Sequence, residues 1–505
     1  MHRLSSEEIA DLADRVNVRL LSTEIDTIRE FVNENLSGLE HVDSVPLEHT
    51  EYDMGDRRWW VPTEDPHNGI ITQCAVPPRD SPQSDLLSNQ TIGVKDIIAV
   101  AGIPMQCGSE SMVGYVPGFD ATVIERLRDH GATIIAKTNL DEFAGGARGI
   151  SHFGQMTNPF DTTRIPGGSS GGSAVAVATG AVDLALGTDT GGSVRMPSSH
   201  CGIVGLKPTY GLIPLTGVVE NTYTLDHVGP MTRTVEESAR MLEAVAGKDP
   251  ADPASMAAAG TDGYHSTGFV EAVTTPPSPD EVRIGVVAES LGHGVADDTV
   301  EPAVVERTER AIDRLDDAGC MVEDVSIELF ESSSAIKRAI SYVELAAHWR
   351  DGAAPIRRGG SLDGGYQTGF AARTRSKSGL VGAYYRARLI AGAYLLEENH
   401  GRTYTRAQTA RRTLQSAFTE ALADVDVLVL PTMAGLPPTV EDADSPGLNY
   451  ARNTMPANVT GQPAISIPNG LIDDIPTGLQ LMSDRFTDAA LLGYAALFES
   501  IITPE

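Results

Sequence analysis

RIPGGSSGGSAVAVATGAVDLALGTDTGGSVRMPSSHCGIVGLKP, Arg164 to Pro208, is the stretch that decides how the rest of the chain is read. Two glycine-serine clusters stand in it. The first, Gly167 to Ser173, lies where a loop opens into a small-residue helix running to Gly180. The second, Asp189 to Ser193, ends an apolar run, Ala181 to Thr188, that predicts a buried strand. Glycine at such places lets backbone approach a ligand closely, and serine supplies a hydroxyl. A flexible linker would not be flanked on both sides by buried apolar segments. A phosphate cradle is disfavoured as well, since no Gly-Lys-Ser/Thr follows the glycines and GxGxxG is in neither cluster. A serine nucleophile with backbone donors for an oxyanion remains. Gly167, Ser169 and Gly171 also satisfy GxSxG, a weak match in a loop this rich in glycine.

With GGSSGG, then DTGGSVRMPSSHCGIVGLKPTYG, serines 169 and 193 standing 24 positions apart, and an isolated Lys95 in TIGVKDIIAVAGIPM, the chain resembles the amidase signature family. The resemblance implies a mixed α/β fold and amide hydrolysis through a serine acyl-enzyme, without cofactor or metal. It implies Ser193 as nucleophile, Ser169 after a cis peptide bond as the bridging serine, and Lys95 as base. Thr190, Gly191 and Gly192 belong to the segment that supplies oxyanion donors. Asp189, Ser170 and Arg195 are read as residues that hold the loop, and Lys207 as structural.

Each role also makes chemical sense. Amide cleavage needs a nucleophile, a base that returns its proton to the leaving nitrogen, and donors for the tetrahedral oxyanion. Ser193 sits on a strand end, so its position is rigid. Lys95 lies beside Val94, Ile97 and Ile98, where desolvation favours the neutral amine, while the adjacent Asp96 would oppose that shift.

Gly211 to Val235 and the helical N-terminus resemble the broad-specificity amidases of nitrile degradation. The rival is the A subunit of the glutamyl-tRNA amidotransferase, which shares the triad and passes ammonia to a partner. In that protein an aspartate holds the α-amino group of glutamine, and Ala451 falls at the matching place here. Arg452 beside it would further disfavour a zwitterion, unless Asp442 or Asp444 supplies the missing charge. The expected function is therefore hydrolysis of a carboxamide to acid and ammonia.

The 505 residues carry a net charge of −31, which disfavours nucleic acid as a partner. A small amide as the partner, no membrane and a homodimer are expected. Four dispersed cysteines, no signal-peptide pattern and no apolar run of membrane-spanning length predict a cytoplasmic protein.

Along the chain, residues 5 to 36 read as two amphipathic helices packed on the main body, and 50 to 88 as an irregular connector. Strands are expected at 92–100, 132–137, 283–287, 425–432, 464–468 and 477–482, and helices at 121–130, 235–246 and 304–317. This order predicts a largely parallel central sheet covered by helices on both faces. Residues 249–280 read as a surface insertion. The resulting division is an N-terminal segment and connector (1–65), a core (66–330), a helix-rich insertion near the site (331–424) and the core's C-terminal part (425–505).

Only six of the 38 basic residues are lysine, a bias that with the acidity suggests a protein adapted to high salt. Screening should then stabilise the fold, so the thermal midpoint is expected to rise between dilute buffer and molar potassium chloride. An equal or lower midpoint in salt would leave the acidity without this explanation.

Overall fold

The apolar run between the two glycine-serine clusters is a strand, Leu184–Asp189, buried along its whole length. Around it the computed structural model describes residues 2–16, 18–39, 41–42, 56–293, 300–354, 364–443 and 450–502. The chain divides into two compact units, residues 1–53 and 54–505.

In the first unit, helices span Ser6–Arg15 and Ile25–Leu39. Ser5 and Glu8 form a reciprocal capping box that satisfies donors at the helix start. The Asn33 side chain exchanges two hydrogen bonds with the backbone of Leu4, which ties the second helix to the residues before the first.

The strands of the second unit are β1 (Arg58–Trp60), β2 (Ile70–Val76), β3 (Thr91–Lys95), β4 (Thr133–Thr138), β5 (Ile150–Ser151), β6 (Gly154–Gln155), β7 (Leu184–Asp189), β8 (Val204–Lys207), β9 (His227–Thr232), β10 (Arg283–Val287), β11 (Met321–Val325), β12 (Val427–Pro431), β13 (Ala464–Ile472) and β14 (Ile475–Met482). β5 and β6 pair with each other. The other twelve form one sheet in the order β1-β2-β4-β3-β7-β9-β8-β13-β14-β12-β10-β11.

The sheet is mixed, but the expectation that it is largely parallel needs correction. Only β3 with β4 and β7, and β10 with β11 and β12, run parallel. The rest are antiparallel. One reason is a hairpin: β13 and β14 are joined through Asp473 and Asp474, both at positive φ (49° and 64°). Asp-Asp tolerates that conformation less readily than Asn-Gly, so the sequence carries no strong hairpin signal there.

Alternating strand residues serve the two faces. Leu184 and Leu186 join a core that includes the helices Val235–Val245 and Asp488–Ile502. Ala185 faces the other side, against the helix Gly171–Ala178. A further core gathers Ile336, Ile340, Leu414 and Phe418 from the helices Ser332–Arg350 and Arg402–Ala421 against β12 and β14. These two helices, with Gly364–Ser376 and Ala383–Glu397, lie between β11 and β12 in the chain.

Two segments are more ordered than expected. The connector 50–88 contains β1 and β2, and β2 buries Ile71, Cys74 and Val76. Residues 249–280 form the helices Pro253–Ala259 and Phe269–Thr274, with Phe269 fully inside the core. All four cysteines are buried free thiols. Among the described residues no helix is long and apolar enough to cross a membrane.

Leu186 stands at the centre of the sheet with no exposed surface. Leu186→Ala should lower unfolding free energy by about 2–5 kcal/mol through lost burial and the cavity left behind. A loss under about 1 kcal/mol in equilibrium denaturation would mean that the site collapses freely around the smaller side chain.

Candidate active site

β3 is shorter than its apolar sequence suggests. It ends at Lys95, and the chain turns there, with the Ile97 and Ile98 amides donating back to the Lys95 carbonyl. The Lys95 side chain is wholly buried. Its Nζ lies 2.8 Å from Ser169 Oγ, 2.8 Å from Ser170 Oγ and 2.8 Å from Thr188 Oγ1. Among the described residues no carboxylate is in direct contact with it. Burial draws its pKa down to about 7, although Asp141, Asp189 and Asp226 act in the opposite direction from further away. Asp96, expected as a charge partner for Lys95, instead lies 3.2 Å from Lys137 Nζ and accepts from the Gln106 amide.

The peptide bond between Gly168 and Ser169 is cis. Ser170 begins the helix Gly171–Ala178, and its hydroxyl also donates to the Thr188 carbonyl (3.1 Å). This requires Gly187, because a Cβ there would come within 2.9 Å of Ser170 Oγ. The hydroxyl of Ser170 thus touches Lys95 and β7 together.

Ser193 follows β7 in a tight loop whose centre is Asp189. The Asp189 carboxylate accepts from the Gly192 amide (2.6 Å), the Val194 amide (3.2 Å), Asn458 Nδ2 (2.8 Å) and Arg195 Nε and Nη2 (3.0 and 3.1 Å). Burial alone would raise its pKa, but Arg195 and these hydrogen bonds prevail and hold it well below the ordinary carboxylate range. Arg195 in turn donates to Gln480 and Asn458, 2.8 Å each. Below them Lys207, fully buried, bonds to the Pro208 carbonyl and lies 3.2 Å from His227 Nε2.

Gly192 has φ +120°, and a Cβ on it would collide with Thr454, whose hydroxyl donates to the Gly191 carbonyl. Because the Gly192 amide is committed to Asp189, its place among the oxyanion donors needs correction. The amides of Gly191 and Ser193 have no acceptor among the described residues, which leaves both able to donate to a ligand. Thr190 contributes its hydroxyl to Asp226 (2.5 Å). Asp226 also accepts the Asn221 and Thr222 amides, and burial still pushes it up to about 7.

The two clusters meet directly: the Ser170 amide donates to the Ser193 carbonyl at 3.2 Å. The Ser193 side chain is nearly buried, and its hydroxyl makes no hydrogen bond to a described residue. Thr188, Asn458 and Gln480 belong to the site without any mark in the sequence. Thr188 looks like one more residue of an apolar strand, and Asn458 and Gln480 lie more than 260 positions from the loop they hold. Arg452 does not face the site as a free charge: it pairs with Glu331 and donates to the Glu289 carbonyl. Asp442 is engaged with Thr439, and Asp444 lies outside the described residues.

The chain is similar to known proteins along most of its length. The model of the Amidase family matches residues 77–492. The A subunit of glutamyl-tRNA(Gln) amidotransferase from Halobacterium salinarum is 39% identical over 441 residues, covering 86% of this chain and 99% of the relative. The crystal structure of the A subunit of the same amidotransferase from Thermotoga maritima superposes with a TM-score of 0.69 at 30% identity, over 85% of this chain and 86% of the other. Peptide amidase from Stenotrophomonas maltophilia gives 0.68 at 31%, over 83% and 84%.

These relatives weigh toward the amidotransferase rival rather than the amidases of nitrile degradation. They also overturn the expectation of an enzyme that meets a small amide, with no nucleic acid and no partner other than a second copy of itself. The Halobacterium and Thermotoga proteins are, by name, single subunits of an enzyme of glutamyl-tRNA(Gln). Net charge describes one chain's surface, and it does not report what an assembly containing that chain meets. On the span of the family match and the identity to a relative covered almost end to end, the chain belongs to the amidase signature family.

Proposed function

We propose that the chain is the ammonia-producing component of a glutamine-dependent amidotransferase, cleaving a side-chain amide through an acyl-Ser193 intermediate. The observation that carries the chemistry is the buried 2.8 Å contact of Lys95 with Ser169, beside the loop that holds Ser193. A neutral lysine has two N–H donors and one lone pair. Ser170 Oγ gives its own proton to the Thr188 carbonyl, so it and Thr188 Oγ1 can accept the two donors. The lone pair then faces the Ser169 hydroxyl.

Ser169 takes the Ser193 proton as its own passes to Lys95, and Ser193 Oγ attacks the amide carbon. The Gly191 and Ser193 amides receive the oxyanion. The proton returns through Ser169 to the leaving nitrogen, ammonia departs, and water cleaves the ester by the reverse relay.

The choice of glutamine and of an acceptor partner rests on the likeness to the amidotransferase relatives. A second reading, hydrolysis of a carboxamide without an amino group, is favoured by Ala451, because a methyl group cannot pair with an α-ammonium. Ammonia release from glutamine and from uncharged aliphatic and aromatic amides separates the two. A kcat/KM highest for glutamine, with ammonia passed to a copurifying protein, is expected. Faster turnover of uncharged amides by the chain alone would give the second reading precedence.

The relay makes a further prediction. Lys95 acts as base only when neutral, so kcat/KM should rise with pH through an apparent pKa of about 7 and level off above it. Lys95→Arg keeps the charge but cannot lose its proton, so activity should fall by about 10²–10⁴-fold. Ser193→Ala should remove about three orders of magnitude or more while leaving the thermal midpoint in place. An active arginine variant, or acylation found on Ser170, would sink the assignment.

A further inference from the structure

Lys337 stands in the second turn of the helix Ser332–Arg350, and its side chain lies against the loop that carries Ser193. A Cβ on Gly191 would come within 2.9 Å of Lys337 Cε and 3.4 Å of its Nζ. The ammonium therefore sits at the backbone of Gly191, whose amide is one of the two left without an acceptor. The residue as a whole is half-buried, with its ammonium end turned in against the loop.

Lys337 makes no hydrogen bond or ion pair with a described residue. The three fully buried lysines, Lys95, Lys137 and Lys207, each have close partners. The anions near Lys337 are spoken for. Asp189 is saturated by Arg195, Asn458 and two amides, and Asp226 by Thr190, Asn221 and Thr222. A second cation, Arg388, also acts on Lys337, and it donates to the neutral oxygens of Asn221 and Ser341. Desolvation, with Arg388 and Arg338, draws the Lys337 ammonium down to about 7 against the opposing pull of Asp226 and Asp189, a shift that a bound anion would reverse. In a chain of net charge −31, Lys337 against the acylation loop and Arg388 close enough to act on it, neither bonded to a carboxylate among the described residues, form a local positive site.

We propose that Lys337 determines substrate specificity by holding a carboxylate that the amide carries a few bonds from its scissile carbonyl, as the ω-amide of a dicarboxylic acid does. The inference deepens the proposed function and rests on Ser193 as the attacking residue. It requires no α-ammonium, so it is compatible with Ala451.

Titration calorimetry on the Ser193→Ala protein tests it, with glutaramate and with pentanamide, an uncharged amide of the same carbon count. Glutaramate should bind more tightly. Lys337→Met should weaken glutaramate binding about ten- to hundredfold, the range of a charge-assisted hydrogen bond, and leave pentanamide within about twofold. Lys337→Arg should keep most of the glutaramate affinity. Glutaramate that binds no better than pentanamide with Lys337 in place overturns the inference, and so does an equal loss for both ligands, which would mark an oxyanion or structural role. The unsubstituted ratio and the arginine variant decide the matter even if the methionine variant does not fold. Glutamine turnover is not read here, so failure of glutamine as ammonia donor is seen separately. Ammonia release by the Ser193→Ala protein would likewise mark failure of the nucleophile assignment alone.

Discussion

The interaction on which the site depends is the buried pair of Asp189 and Arg195. Asp189 ends β7, and its two oxygens collect five N–H donors from Gly192, Val194, Arg195 and Asn458. Two of those donors are backbone amides on either side of Ser193, so the carboxylate sets the path of the chain through Ser193. Removing one member of a buried pair typically costs about 3–5 kcal/mol, because the other charge is left desolvated and unpaired. The pair is satisfied on all sides, by Asn458 and Gln480 from the C-terminal part of the chain. That part thus contributes to the site by supporting the pair that shapes the loop.

Lys95 illustrates the opposite treatment of charge. It is as deeply buried as Arg195 but, among the described residues, meets only hydroxyls and, at 3.5 Å, the Thr188 carbonyl. A carboxylate at contact distance would stabilise the ammonium and keep the lone pair protonated. Neutral oxygens compensate the desolvated amine while leaving it able to release its proton near neutral pH. Asp96, next in sequence, would spoil this if it turned inward, and Lys137 holds it elsewhere.

How much of this is legible in the sequence follows from the range of each interaction. The two glycine-serine clusters, the buried strand between them and the isolated Lys95 are local signals, and they can be read directly. Strand direction is not local: nothing in an apolar run such as LALGTD says which neighbour a strand will find, and so the antiparallel majority of the sheet leaves no trace there. β2 is hidden because its alternating apolar residues lie between stretches rich in proline and aspartate. The hydrogen-bond partners Asn458 and Gln480 are illegible because the loop they hold lies far away in the chain. Thr188 escapes notice for a different reason, since its β-branched shape suits a strand and conceals the polar use of its hydroxyl.

The part of the sheet that is parallel is the part on which the site is built. β3 runs parallel to β7, with Val94 opposite Leu186. Parallel neighbours finish at the same edge of a sheet, so the residue that ends β3, Lys95, emerges beside Thr188 and the loop leading to Ser193. An antiparallel pairing would have sent Lys95 to the opposite edge. The helix Gly171–Ala178 closes the arrangement, because the chain must return along one face of the sheet between the first cluster and β7. Its first turn is brought back over the carboxyl ends of the strands, where α/β sheets commonly bind their ligands. The 24-residue spacing of Ser169 and Ser193 is therefore the length of one helix and one strand, enough to leave that edge and come back to it.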